Sequence, residues 1–180
     1  MILRASSIPG WVMDPRSDLL AGITGSDIIW ESGLGKNTGE EIPVYDLNEN
    51  VRQSALYIGV NTKFAEKISR LEDLDEKPVV TKYPNIARDL GREKGIALNS
   101  ITVPGTDEAI QYIYGDYPAI LGILSSGNTI RANDIKILEI FYRVTVRMID
   151  APGKMTSREL AIFEDLREMI AVALQRKRML

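Results

Sequence analysis

Through the first two thirds of this chain, short apolar runs alternate with helix-length segments, and glycine or proline marks most of the switches. LLAGITG (19–25), VRQSALYIGV (51–60), KPVVT (77–81), IALNSITV (96–103) and AILGIL (119–124) read as strands. Helical segments stand between several of them, which is the pattern of α/β units with a mostly parallel sheet. Such sheets take ligands at the carboxyl ends of their strands. Gly25, Lys82, Gly105 and Gly127 each follow a predicted strand, so four loops can meet at one edge. The plainer reading is that these are ordinary connections.

A chain of 180 residues holds one substantial core or two small lobes that share a cleft. Acidic side chains number 25 against 22 basic ones, a formal charge of −3. That balance argues against nonspecific nucleic-acid binding, which exchanges basic side chains for phosphate counterions. The chain has no cysteine and no histidine. Thiol nucleophiles, thiolate metal sites and the commonest general base near neutral pH are therefore excluded. Catalysis would rest on carboxylates, Lys, Tyr, Mg²⁺ or binding energy. No long apolar run suggests a membrane span, and MILRASSIPGW lacks the apolar core of a signal peptide, so a cytoplasmic protein is expected.

Local signals set the remaining expectations. Asp14–Pro15 predicts a helix over DPRSDLL (14–20), proline being tolerated where a helix needs no N–H. SDIIWESG reads as a short helix capped by Ser26 or Asp27 and ended by Gly33. KFAEKISRLEDL (63–74) is amphipathic at helical spacing, with Phe64, Ile68 and Leu71 on one face. PNIARDLGREKG (84–95) starts on proline and stops on glycine. TDEAIQYIYG (106–115) reads as a compact helix, and PVYDL (43–47) as extended. ILEIFYRVTVRMID predicts one or two strands around Phe141–Ile149, with a helix over Ile137–Tyr142 as the alternative. Residues 156–177 form the longest helical candidate, opened by a Thr156/Glu159 capping box. Phe163, Leu166, Ile170 and Leu174, widened by Met169 and Ala173, predict a core-facing stripe.

The tract LSSGNTIRAN (124–133) raises a chemical question. Backbone N–H groups in a glycine-containing turn converge on anions, and Ser or Thr hydroxyls add donors. A phosphate cradle and a polar connecting loop both fit these ten residues.

The order of motifs goes further. LLAGITGSDII, VVTKYPNIARDL, PGTDEAI and AILGILSSGNTIRANDIKILEIFYRVTVRMID together resemble the ATP phosphoribosyltransferase family, which opens histidine biosynthesis. The resemblance implies two α/β lobes of the periplasmic-binding-protein-like (type II) kind. One lobe is expected from residues 1–54 together with 144–180 and its long helix, the other from 55–143. Family chains open with a strand and a long helix that this sequence does not show, so an incomplete first lobe with an exposed sheet edge is expected. By the same resemblance, Ser125, Ser126, Gly127, Asn128 and Thr129 hold the 5′-phosphate of phosphoribosyl pyrophosphate. Gly105, Thr106 and Glu108 lie near the ribose, Lys82 adds charge in the cleft, and Gly22, Thr24 and Gly25 line the nucleotide side. Arg147 also falls on a recurrent family position, the plain reading being a pair with an acid such as Asp150. ATP, phosphoribosyl pyrophosphate and Mg²⁺ are the implied ligands. A second copy or a synthetase-like regulatory subunit is the implied partner.

Two positions depart from the family. Where it usually places acids on the phosphate-site strand, this chain has Pro118 and Gly122, and neither side chain can orient ribose hydroxyls or Mg²⁺-bound pyrophosphate. No residue is assigned as catalytic. A noncatalytic phosphate- or nucleotide-binding homologue, or an interaction subunit, stands as the alternative to an active glycosyltransferase.

Overall fold

The computed structural model describes residues 4–42, 54–104, 117–124, 130, 133–151 and 153–177. Its strands are β1 (Ala21–Gly25), β2 (Glu40–Ile42), β3 (Ala55–Asn61), β4 (Pro78–Thr81), β5 (Asn99–Thr102), β6 (Ala119–Leu124), β7 (Ile135–Arg143) and β8 (Val146–Asp150). Its helices are α1 (Ile8–Met13), α2 (Ser26–Ile29), α3 (Pro84–Lys94) and α4 (Ser157–Lys177). The expected helix 106–115 and strand 43–47 lie outside the described residues. The chain divides into two compact units, Met1–Val51 with Thr145–Leu180, and Arg52–Val144.

The second unit is built on a five-stranded sheet in the order β5-β4-β6-β3-β7. β4 runs parallel to both β5 and β6, while β3 is antiparallel to β6 and β7. The mostly parallel sheet expected from the sequence is therefore mixed. β3 and β7 carry the chain into and out of the unit; β3 alone runs opposite to the other four strands, and β7, antiparallel to it, shares the direction of β4, β5 and β6. Tyr57, Val80, Ile120 and Ile135 pack on one face with Val103 and Ile130. Leu56, Ile58, Val60, Val79 and Leu121 alternate away from that set and are fully buried as well. This two-sided burial explains why the strands read as continuous apolar runs.

α3 forms where the sequence places it. Pro84 opens it, Ile86, Ala87 and Leu90 are buried at helical spacing, and left-handed Gly95 closes it. KFAEKISRLEDL does not form the expected helix. It divides into two 3-10 turns, Thr62–Phe64 and Leu71–Leu74. Local side chains compete with the helix there. Asn61 Oδ1 accepts the Lys63 amide at 3.0 Å, and Asp73 Oδ2 accepts the Ser69 and Arg70 amides at 2.9 and 3.2 Å. Ile68 and Leu71 are still buried and Phe64 is half-buried, so the apolar spacing marked most of the inward face although the backbone is not helical.

β7 is also where the helical alternative fails. Its pairing with β3 skips a residue twice, between Leu56/Tyr57 and between Ile58/Gly59, which leaves Phe141 and Leu138 as bulge residues. Two bulges three residues apart destroy the period of two that identifies a strand, so ILEIFY looked ambiguous.

The Ser69 amide, joined by the Arg70 amide and the Arg70 and Ser69 side chains, holds the Asp73 carboxyl at about 2, down from 3.8, against partial desolvation. A carboxyl depressed in the fold stabilises it above its unfolded value; the contribution fades as pH falls from 3.8 toward 2. Asp73→Asn is accordingly expected to flatten that part of the acid unfolding curve, followed by circular dichroism. A wild-type carboxyl that titrates near 4 in NMR would contradict it.

In the first unit β8 lies between β1 and β2, antiparallel to both. The helix expected over DPRSDLL is absent, because α1 ends at Asp14 instead of starting there. The Asp14 carboxylate turns to the Arg16 amide at 2.9 Å and to its guanidinium at 3.0 Å, which fixes a turn. Lys154 secures the same segment, with Nζ donating to the carbonyls of Val12 at 2.9 Å, Ser17 at 3.4 Å and also Asp14. α2 takes Gly25 as its N-cap with no side-chain cap. The expected cap Ser26 turns elsewhere: its Oγ accepts the Thr145 amide at 3.0 Å and its own amide donates to the Thr145 carbonyl at 2.8 Å.

The Thr156/Glu159 capping box forms as expected, with Glu159 Oε2 accepting the Thr156 amide at 2.8 Å and Thr156 Oγ1 accepting the Glu159 amide at 3.3 Å. The described members of the stripe it introduces are not buried. Leu166 is 46% exposed and Met169 61% exposed, while Phe163 and Ile170 are half-buried.

Candidate functional site

The parallel strands β4, β5 and β6 all end at one edge of the second unit. Antiparallel pairing brings Ala55 opposite Leu124, and Arg143 opposite Ala55, to that same edge. Lys82, Val103–Pro104 and Leu124 are thus the described positions from which its loops depart. Gly105, Thr106 and Glu108 follow Pro104, and Ser125, Ser126, Gly127, Asn128 and Thr129 follow Leu124. All eight lie outside the described residues. Ile130, directly after the second group, is buried in the core beneath Tyr57 and Ile120.

Lys82 is the one candidate at this edge whose side chain is described. Thr81, fully buried, accepts the Tyr83 amide on Oγ1 at 2.9 Å and the Val103 amide on its carbonyl at 3.0 Å. These two bonds set the bend between β4 and α3 and join it to the end of β5. Lys82 rides on that bend, half-buried, with Nζ 4.7 Å from the centroid of the buried Tyr83 ring. Contact with the ring face holds the cation in place. The site therefore carries a positioned positive charge beside the N-terminus of an eleven-residue helix.

Gly122 lies two pairs back from the tip of β6, directly opposite Tyr57. A Cβ at position 122 would stand 3.3 Å from Tyr57 Cε1 and 3.4 Å from its hydroxyl. On the other side of the ring, a Cβ at Gly59 would stand 3.3 Å from Cε2. Tyr57 thus spreads over two glycines on neighbouring strands, filling the space that side chains there would take. Burial raises its phenol to about 12. Tyr57 is the residue sequence reasoning missed at this site. A lone tyrosine in an apolar run carries no local mark, and its glycine partner is on a strand remote in sequence.

The candidates in the first unit have described local roles. Thr24 is buried and its hydroxyl donates to the Ala5 carbonyl at 3.0 Å. Gly22 lets α1 close on β1, since a Cβ there would fall 2.3 Å from Ile8 Cγ2. Gly25 pairs with Val146 and leads into α2. Arg147 does not pair with Asp150. Its Nη1 donates to the carbonyls of Asn37, Thr38 and Gly39 at 3.2, 3.4 and 3.0 Å, binding the glycine-rich loop to β8.

Mg²⁺ is poorly matched by the described residues. Among them no group of three or more carboxylates is placed to hold a metal. Position 118 is a buried proline whose carbonyl accepts the Asn61 amide at 3.1 Å, and position 122 is closed by the Tyr57 ring.

Comparison with known proteins decides the family. The family model described as HisG: ATP phosphoribosyltransferase matches residues 4–172. The chain belongs to the ATP phosphoribosyltransferase family. An ATP phosphoribosyltransferase from Methanosarcina mazei is 30% identical over 88% of this chain and 51% of its own length. One from Clostridium botulinum is 30% identical over 94% of this chain and 74% of its own. The chain thus spans about half the length of the Methanosarcina relative. Among solved structures, the ATP phosphoribosyl transferase (HisG:HisZ) complex from Thermotoga maritima superposes with a TM-score of 0.68 at 21% identity, covering 94% of this chain and 78% of that one. An ancestral amino acid-binding protein, a precursor of cyclohexadienyl dehydratase, gives 0.55 at 14% identity over 99% and 71%. The fold is the two-lobed periplasmic-binding-protein-like one, here carrying an ATP phosphoribosyltransferase family sequence.

Proposed function

We propose that this ATP phosphoribosyltransferase-like protein binds phosphoribosyl pyrophosphate at the carboxyl edge of its second unit, for condensation with ATP. In that reaction N1 of ATP attacks C1 of the ribose, the C1–O bond breaks and pyrophosphate leaves with the bonding electron pair. Lys82 carries the reading, because a ring-held ammonium at the strand edge supplies attraction for a phosphate anion before any loop closes over it. Ser125–Thr129 would wrap the 5′-phosphate through amides and hydroxyls, and Glu108 would accept from a ribose hydroxyl. Mg²⁺, when bound, would offset charge on the departing pyrophosphate; the described side chains supply no ligand set for it.

The second reading, a binding protein without turnover, is favoured by the Tyr57–Gly122 contact, which crowds any side chain placed at position 122. The Thermotoga structure is a two-protein complex, which supports a regulatory subunit as partner in either reading.

Calorimetry with phosphoribosyl pyrophosphate, ATP and Mg²⁺, followed by a pyrophosphate-release assay with and without such a subunit, separates the readings. Binding with release supports the transferase, and binding alone the sensor. Lys82→Ala is expected to weaken phosphoribosyl pyrophosphate binding about tenfold, the worth of one charge-assisted contact. Unchanged affinity in that variant, or amides of 125–129 that do not move with millimolar phosphate in NMR, would remove the basis for this site.

A further inference from the structure

The packing of Tyr57 leaves one of its atoms unexplained. The ring is 1% exposed and fills the space over Gly122 and Gly59. Phenylalanine would fill that space equally, without taking a hydroxyl out of water. The hydroxyl makes no hydrogen bond to any described residue, and burial alone raises it. Yet among the described residues no side-chain polar atom is both fully enclosed and unpartnered. What little of Tyr57 meets solvent is therefore the oxygen itself. Buried polar groups as a rule find a partner, so a buried ring that ends in an open, unpaired hydroxyl calls for one from outside.

The placement of the oxygen identifies that partner. The end of the ring lies over β6, with the hydroxyl 3.4 Å and Cζ 3.5 Å from where a Cβ would stand at Gly122. Tyr57 pairs with Gly122 across β3 and β6, and β6 pairs on its other side with β4 as far as Thr81↔Leu121. That register carried one residue further brings Lys82 level with Gly122. The Tyr57 hydroxyl and the Lys82 bend thus flank the same glycine. Leu124, from which 125–129 depart, is two residues on, roughly 7 Å along β6. A phosphate held by that loop leaves the sugar that bears it over the row below. Burial pushes the phenol up to about 12, so it is a donor at neutral pH.

We propose that the Tyr57 hydroxyl donates a hydrogen bond to a ribose hydroxyl oxygen of the phosphoribosyl ligand, reading the sugar from the sheet while the loop reads the phosphate. The inference rests on the phosphoribosyl pyrophosphate reading of this edge and adds a sugar contact made by the sheet itself. Recognition of the ribose at this row then needs no carboxylate on β6, where Gly122 has none to offer. A bare phosphate has no sugar oxygen to set against the phenol.

Calorimetry of the full chain with ribose 5-phosphate and with inorganic phosphate, for wild type and Tyr57→Phe, tests the contact. Tyr57→Phe is expected to bind ribose 5-phosphate about fivefold more weakly, the worth of one neutral hydrogen bond, and to bind phosphate as tightly as wild type does. The second readout needs no variant. In wild type carrying isotope-labelled tyrosine, the Tyr57 Cζ resonance is expected to move with ribose 5-phosphate and to stay in place with phosphate. Equal affinity of the two proteins for ribose 5-phosphate, an equal loss for both probes, or a Cζ resonance indifferent to the sugar would overturn the assignment and leave phosphate binding at this edge standing. Failure of wild type to bind either probe would overturn it together with the phosphoribosyl pyrophosphate reading.

Discussion

Replacing Tyr57 by alanine is expected to cost about 3–5 kcal/mol of stability, the range for removing a buried aromatic ring. The ring is 1% exposed, lies in the main cluster of the second unit and covers Gly59 and Gly122 together. Alanine would uncover two strands at once, and neither glycine has a side chain to close the gap. Urea unfolding should show a lower midpoint at unchanged slope; a loss below about 1 kcal/mol would mean that the site collapses around the cavity and that the ring is not the support described. Tyr57→Phe keeps the ring and isolates the phenol. A phenol raised from 10.0 to about 12 stays neutral in the fold while the unfolded chain ionises. Its stabilisation is therefore whole below pH 10 and is lost as pH rises toward 12, about 3 kcal/mol in all. The stability difference between wild type and Tyr57→Phe should change across that window and stay constant below it.

Gly122→Asp, which puts an acid where the family resemblance implies one, is expected to destabilise the protein by about 3–5 kcal/mol at neutral pH, the cost of an uncompensated buried charge. Its Cβ would meet Tyr57 at 3.3 Å before the carboxylate itself is placed. Burial raises the new carboxyl, so the penalty is absent below the unfolded value and grows as pH rises toward the folded one. Combining Tyr57→Ala with Gly122→Asp gives the acid space and water. The pair should then cost at least 1 kcal/mol less than the two single changes added together. Strict additivity would show that Gly122 and Tyr57 are not matched to each other.

Local chemistry was legible wherever it acts alone. Proline at the start and glycine at the end delimited α3, and the Thr156/Glu159 spacing located the start of α4, since each signal is complete within a few residues. It failed where a side chain diverted the backbone: Asp14 served a turn instead of opening a helix, and Asp73 drew the Ser69 and Arg70 amides away from one. The stripe on α4 was visible as a pattern, but a pattern states only that a face is apolar, not what covers it. At the candidate site the strand ends and Lys82 could be placed from the sequence. Tyr57 could not, because its meaning depends on Gly122, which sheet pairing brings beside it from a strand remote in sequence.

The two bulges in β7 bear on what can pair with the edge of this sheet. ILEIFY is a six-residue run of strand-forming apolar residues broken by one charge, it lies on the last strand in the sheet order, and Ile140 is 54% exposed. Such a segment in a flat, regular edge is a template for the growth of cross-β stacks. Phe141 and Leu138 each interrupt the ladder, so the outward hydrogen-bonding groups of β7 do not present the even spacing that another strand would need. The same irregularity that hid this strand from sequence patterning acts as its guard against amyloid growth.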